Sequence, residues 1–207
     1  MNHAGLMTVG RGWTALRGPD GKFLGFPLLL GCSIAALLCF SGVPRAAAQS
    51  ADDEYRVKAA FLFHFAQLVE WPSDIPGDDD HSLRLCTLGE DPFHGELEST
   101  VEGKLVGTRT MRVKHLKETD DPKSCQILFI GSSETKRVPS LFVQLGNSPV
   151  LTVGETSTFL LQGGIIRFCL ENNKVRFEIN LDASQRASIK ISSRLLLLAK
   201  TVIGNRG

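Results

Sequence analysis

Ile127-Leu128-Phe129-Ile130-Gly131-Ser132-Ser133-Glu134 is the stretch on which the fold turns. A short, unbroken apolar run is what a strand buried on both faces requires, and the glycine and polar residues after it lead into a helix or turn. The format occurs twice more. Leu83 to Gly89 is followed by Glu90-Asp91-Pro92, and Val150 to Gly154 by Glu155-Thr156-Ser157. Three such units mark a parallel, doubly wound sheet, which implies an α/β fold built as a three-layer sandwich. Thr108 to Leu116 adds a strand in which Thr110, Arg112 and Lys114 alternate with Met111, Val113 and His115.

Downstream of these units the pattern changes. Ile165–Leu170 and Val175–Ile179 flank Glu171-Asn172-Asn173-Lys174, a two-residue hairpin turn favoured because asparagine tolerates positive φ. Counting outward pairs Leu170 with Val175, Phe168 with Phe177 and Ile166 with Ile179, all six toward the core. The other face pairs Cys169 with Arg176 and Arg167 with Glu178, the latter of opposite charge. The mostly parallel sheet therefore carries a C-terminal antiparallel hairpin.

Glu54 to Trp71 reads as a helix stopped by Pro72 and capped by Asp52 or Asp53. Its apolar content is high enough to need cover on most sides or a partner. Ser73 to His81, with Asp78-Asp79-Asp80, reads as a solvated loop. Asp182 is a plausible cap for a short helix through Ala187, and Ile189 to Ser192 reads as extended. Ser192 or Ser193 then caps a last helix, Arg194 to Val202, whose Leu195 to Leu198 are too apolar for a free surface. One unbroken helix from Ala183 is the rival reading.

Phe23 to Phe40 is apolar apart from small residues, follows Arg11, Arg17 and Lys22, and precedes Ala46-Ala47-Ala48. That is the layout of a secretory signal peptide, residues 1–48, with cleavage after Ala48. A retained anchor, or a lipoprotein signal at Leu29-Leu30-Gly31-Cys32, is the alternative. The apolar stretch is short for a span and runs on past Cys32. Residues 49–207 suit one domain with a real core. Without Arg11, Arg17, Lys22, Arg45 and Asp20, the 23 basic and 22 acidic residues become 19 and 21. Such a balance gives no electrostatic case for nucleic acid.

Three cysteines remain beyond the leader, Cys86, Cys125 and Cys169. In an oxidising compartment two of them are expected to bridge. Cys86 and Cys125 come together if their strands are neighbours; two buried free thiols are the alternative. Cys169 reads as a partly exposed structural thiol in preference to a nucleophile, since no histidine stands beside it in sequence.

No hydrolase elbow, phosphate loop or metal signature is present, so neither a catalytic set nor a cofactor is expected. His64, His81, His94 and His115 are widely spaced, and His64 on an apolar helix reads as a core or interface residue. Ser132, Ser133, Thr156 and Ser157 fall where strands finish, the usual ligand crevice of open α/β sheets. That placement is generic to the fold. It supports a periplasmic small-ligand binder of a sensor or transport system as the second reading of function.

Glu54-Tyr55-Arg56-Val57-Lys58-Ala59-Ala60-Phe61-Leu62-Phe63-His64-Phe65, closing with Val69-Glu70-Trp71-Pro72, resembles the opening signature of the YfiR family. Gly163 to Phe168 with Glu171 to Asn180 resembles its second signature, and Ile189 to Ser193 with Leu195-Leu196 and Leu198-Ala199 its ending. The resemblance implies a periplasmic, non-enzymatic α/β regulator that represses a membrane-bound diguanylate cyclase by binding its periplasmic sensor region. A different inner-membrane sensor protein is the other candidate partner, and a homodimer is a further option. Cys86 and Cys125 fit the family's first disulfide in placement. With only Cys169 left over, a second such bridge cannot form within the chain. Candidate partner contacts are the polar hairpin face (Arg167, Arg176, Glu178) and the segment Lys190, Ser192, Ser193, Arg194.

Overall fold

Helix α1 (Arg45–Leu68) turns Ala59, Leu62, Phe65 and Ala66 into the interior, at the three- and four-residue spacing that keeps side chains on one helical face. The computed structural model describes residues 45–72 and 81–204. Residues 1–44, most of the expected leader, and 73–80, most of the expected acidic loop, lie outside the described residues. Helix α1 begins ahead of the expected Glu54, so Asp52 and Asp53 lie inside it and do not cap it. It also stops short of Trp71, because strand β1 (Val69–Glu70) pairs antiparallel with β9 (Lys190–Ile191). The Ser192 amide donates to the Leu68 carbonyl and closes that junction.

The expected strands all form: β2 (Ser82–Leu88), β4 (Arg109–Leu116), β5 (Ile127–Ile130) and β6 (Leu151–Gly154). They run parallel in the order β4-β2-β5-β6, extended by strand β7 (Ile166–Glu171) and its antiparallel partner β8 (Lys174–Asn180). Short strand β3 (Leu105–Val106) edges β4, and β10 (Thr201–Ile203) lies parallel to β8 at the other end. The result is an eight-stranded, mostly parallel sheet.

Alternation along these strands makes two cores. Leu83, Leu85, Ile127, Phe129, Leu151 and Val153 face a layer formed by α1, α2 (Glu96–Val101) and α5 (Ser193–Leu198). Cys86, Leu88, Leu128 and Ile130 face α3 (Val138–Leu145), Phe159 and Leu160. Helices on both sides of one sheet give the three-layer sandwich. Cys86 and Cys125 are disulfide-bonded in this second core, with Cα atoms 5.9 Å apart. Parallel pairing of β2 with β5 brings them together.

The hairpin adopts the expected register, Ile166 with Ile179 through Leu170 with Val175, and Asn172 and Asn173 have φ of 51° and 58°. One detail differs. Leu170 is 55% exposed, because it lies at the hairpin tip. Helix α4 (Leu181–Arg186) is capped by Asn180, whose side chain accepts from the Ala183 amide, and not by Asp182. Asn180 is the last strand residue in extended backbone, which is the cap geometry. Ser192 caps α5 as expected, and the break at Ser188 to Ser192 excludes one continuous helix. Helix α5 ends at Leu198, not Val202, since the chain beyond it joins β8 as β10. Leu197 and Leu198 are consequently exposed.

Candidate functional site

On α1, Lys58 falls in the same stripe as Tyr55, Ala59 and Leu62, so helical geometry carries a cation into the interior. It is 3% exposed. Its ammonium donates to Glu54 at 2.5 Å, one turn back, and to Glu155, just past the end of β6. The Tyr55 hydroxyl donates to the same Glu155 carboxylate at 3.2 Å, and the Lys58 ammonium lies 4.2 Å from the Tyr55 ring centroid. Burial alone would lower the Lys58 pKa, but the hydrogen bonds to Glu155 and Glu54 outweigh it and hold the value above that of ordinary lysine. Burial, with the Glu155 charge behind it, pushes the Tyr55 phenol up. Two carboxylates, a phenol and one ammonium thus fasten α1 to the C-terminal edge of the sheet. The signature Glu54 to Lys58 contains three of these four residues, and their joint role is not visible there.

Immediately outside this cluster, α1 and the hairpin tip enclose an open groove of about 570 Å3. Val57, Phe61, Leu170 and Val175 form its floor, with Asp53, Glu54 and Lys174 at the rim. Phe61 packs against Phe168 and Phe177, which continue into the core. A groove with an apolar floor and a charged rim can bind a macromolecular surface; it holds no nucleophile.

The strand-end residues are split. Ser132 and Ser133 line a crevice with Glu90, Asp91 and His94 at the ends of β5 and β2, where the strand order reverses. Ser133 Oγ already accepts from the Glu90 amide at 3.0 Å, and the acidic neighbours oppose a small anion. Thr156 and Ser157 follow the adjacent strand and do not line that crevice; Ser157 is exposed. The partner-contact residues are split too. Arg167 and Glu178 bond one another at 2.5 Å with side chains only 19% and 15% exposed, whereas Arg176 is half-exposed and reaches Glu171 at 3.7 Å. Those three are on the α3 face of the sheet, while Lys190, Ser192, Ser193 and Arg194 follow the α1 face. The two sets do not form one patch.

Cys169 is a half-buried free thiol. Burial, and then the Glu178 charge, push its pKa up, which keeps the nucleophilic thiolate scarce. His64 is exposed and bonds Gln67, contrary to a core placement, because it sits opposite the apolar stripe of α1. His115 bridges Thr87 and Glu98 at 2.7 Å on each side. Thr87 is 3% exposed, so this chain of hydrogen bonds offers no hydroxyl to a substrate. Among the described residues no group of His, Cys, Asp or Glu is placed to hold a metal, and no helix is long and apolar enough to cross a membrane.

The fold is α/β, and an open groove lies between α1 and the hairpin tip. The chain matches the YfiR/HmsC-like family over residues 55–200 and belongs to it. That family is a regulatory one. Two solved structures are among those to which the chain is distantly similar. An ABC domain in complex with L-Trp from Streptococcus pneumonia is 11% identical, with a TM-score of 0.43 over 58% of this chain and 55% of its own. A conserved domain protein from Vibrio cholerae O1 biovar El Tor is 8% identical, with a TM-score of 0.46 over 70% of this chain and 60% of its own. This chain therefore spans little more than half the length of either, and neither likeness carries an argument about function.

Proposed function

We propose that this protein, exported by its leader, represses a membrane-anchored diguanylate cyclase by binding that enzyme's periplasmic sensor region, and so limits cyclic-di-GMP synthesis. The observation that carries the reading is membership of the YfiR/HmsC-like family over residues 55–200. The Cys86–Cys125 disulfide, deep in one core, suits an oxidising compartment. The mechanism is a shift in population: docking favours the inactive cyclase, and the effect equals the difference in affinity for its two states.

Contact belongs to the groove between α1 and the hairpin tip, with Arg176 on the adjoining face as the accessible member of the polar hairpin set. Lys190, Ser192, Ser193 and Arg194 form a separate candidate surface. The test is affinity for the isolated periplasmic region of a membrane-anchored diguanylate cyclase from the same organism, together with cyclase activity in membranes. Val57→Asp and Leu170→Asp are expected to weaken binding and release synthesis while leaving folding intact. Undiminished binding by both variants excludes the groove. A protein that leaves cyclase activity unchanged at saturation overturns the repressor reading itself.

A further inference from the structure

The N-terminal edge of the sheet, far along β6 from Glu155, holds a cavity that the repressor role does not use. It is about 170 Å3 and lies between α3, the loop leading into β7, and α4. Phe142, Leu145, Val150, Ile165, Ala183 and Ala187 supply its apolar side, and the pocket is open to solvent. Apolar cavities of about 150 Å3 accept one benzene-sized ring.

Its other side is polar, with Ser148, Thr152, Gln162 and Arg186. Gln162 lines the cavity, and its Oε1 is buried without a hydrogen-bond partner. Such an atom favours whatever donor can reach it. Thr152, 4% exposed, accepts from the Ile165 amide at 3.1 Å, which leaves its hydroxyl proton to donate. Arg186 stands exposed on the lining, and no carboxylate pairs with it among the described residues.

We propose that this cavity binds a small monoanionic acid with a compact ring that carries a hydroxyl or amino group. The carboxylate pairs with Arg186, the ring lies against the apolar side, and the substituent donates to Gln162 Oε1. Charge, shape and the orphaned acceptor each select one part of that ligand. A neutral ring lacks the first contact, and a plain acid lacks the last.

The experiment uses the exported chain with labelled alanine methyl groups and three probes: meta-hydroxybenzoate, benzoate and benzyl alcohol. Meta-hydroxybenzoate is expected to shift the Ala183 and Ala187 methyl signals saturably and to bind more tightly than benzoate. Benzyl alcohol is expected to be weaker than meta-hydroxybenzoate. Arg186→Ala, at an exposed position that folding tolerates, should weaken the acids by about tenfold or more. Gln162→Leu should remove the preference for the hydroxylated acid. If no probe moves these signals at millimolar concentration, the cavity holds only water and the proposal fails. It fails equally if binding is indifferent to Arg186→Ala.

Discussion

Lys58 is the residue whose removal most plainly tests the architecture. Its ammonium is the buried counter-charge for Glu54 and Glu155, so Lys58→Met leaves two carboxylates facing each other across a desolvated site. Breaking such a cluster from one side costs about 3–5 kcal/mol, read as a lower denaturation midpoint. Adding Glu155→Gln should restore part of that loss, since the uncompensated charge is then smaller. The same cluster sets an alkaline limit. Lys58 and Tyr55 are both raised in the folded state, so the folded protein retains protons that the unfolded chain gives up. Their contribution is complete below the unfolded values near 10 and disappears as pH climbs through the folded ones. Urea titrations across that range should show a drop in the wild type that is shallower in a Lys58→Met, Tyr55→Phe double variant.

Among the elements, the β7–β8 hairpin is the one whose geometry follows most directly from composition. Alternation with period two and the Asn172-Asn173 turn together determine every pair from Ile166–Ile179 to Leu170–Val175. Both turn residues occupy left-handed backbone, so Asn173→Gly should be neutral or slightly stabilising, while Asn173→Val should cost about 1–2 kcal/mol by equilibrium unfolding. The three strands ending in glycine are legible for a similar reason, each being a local apolar run. Helix ends were less so. Four leucines at 195–198 suggest a longer helix, but β8 offers unpaired backbone groups that draw Thr201 to Ile203 into a strand. The Lys58 cluster escapes sequence reading because Glu155 is 97 residues away. A lone lysine on an otherwise apolar helical stripe was the available signal. The groove at the hairpin tip was hidden likewise, since only the packing of α1 on β7 and β8 leaves Leu170 uncovered.

At the scale of the whole molecule, the Cys86–Cys125 bridge joins β2 to the segment just before β5 across a separation of 39 residues. Its removal should cost about 4 kcal/mol in the chain-entropy account, measurable as a fall in Tm on reduction or in a Cys86→Ser, Cys125→Ser variant. With one bridge among the described residues, reduction is expected to act as a single event and not in graded stages.

The three residues of β10 have a wider consequence. They are the last stitch of the sheet, and Lys200 bonded to Glu171 at 3.0 Å holds them against the hairpin. A chain cut after Ala199 would bare the long flank of β8, with its row of unsatisfied amides and carbonyls open to any neighbouring polypeptide. Such a truncation should keep the central strands intact and still emerge from gel filtration as oligomers or aggregates. The tail thus acts as a seam that covers the flank of β8.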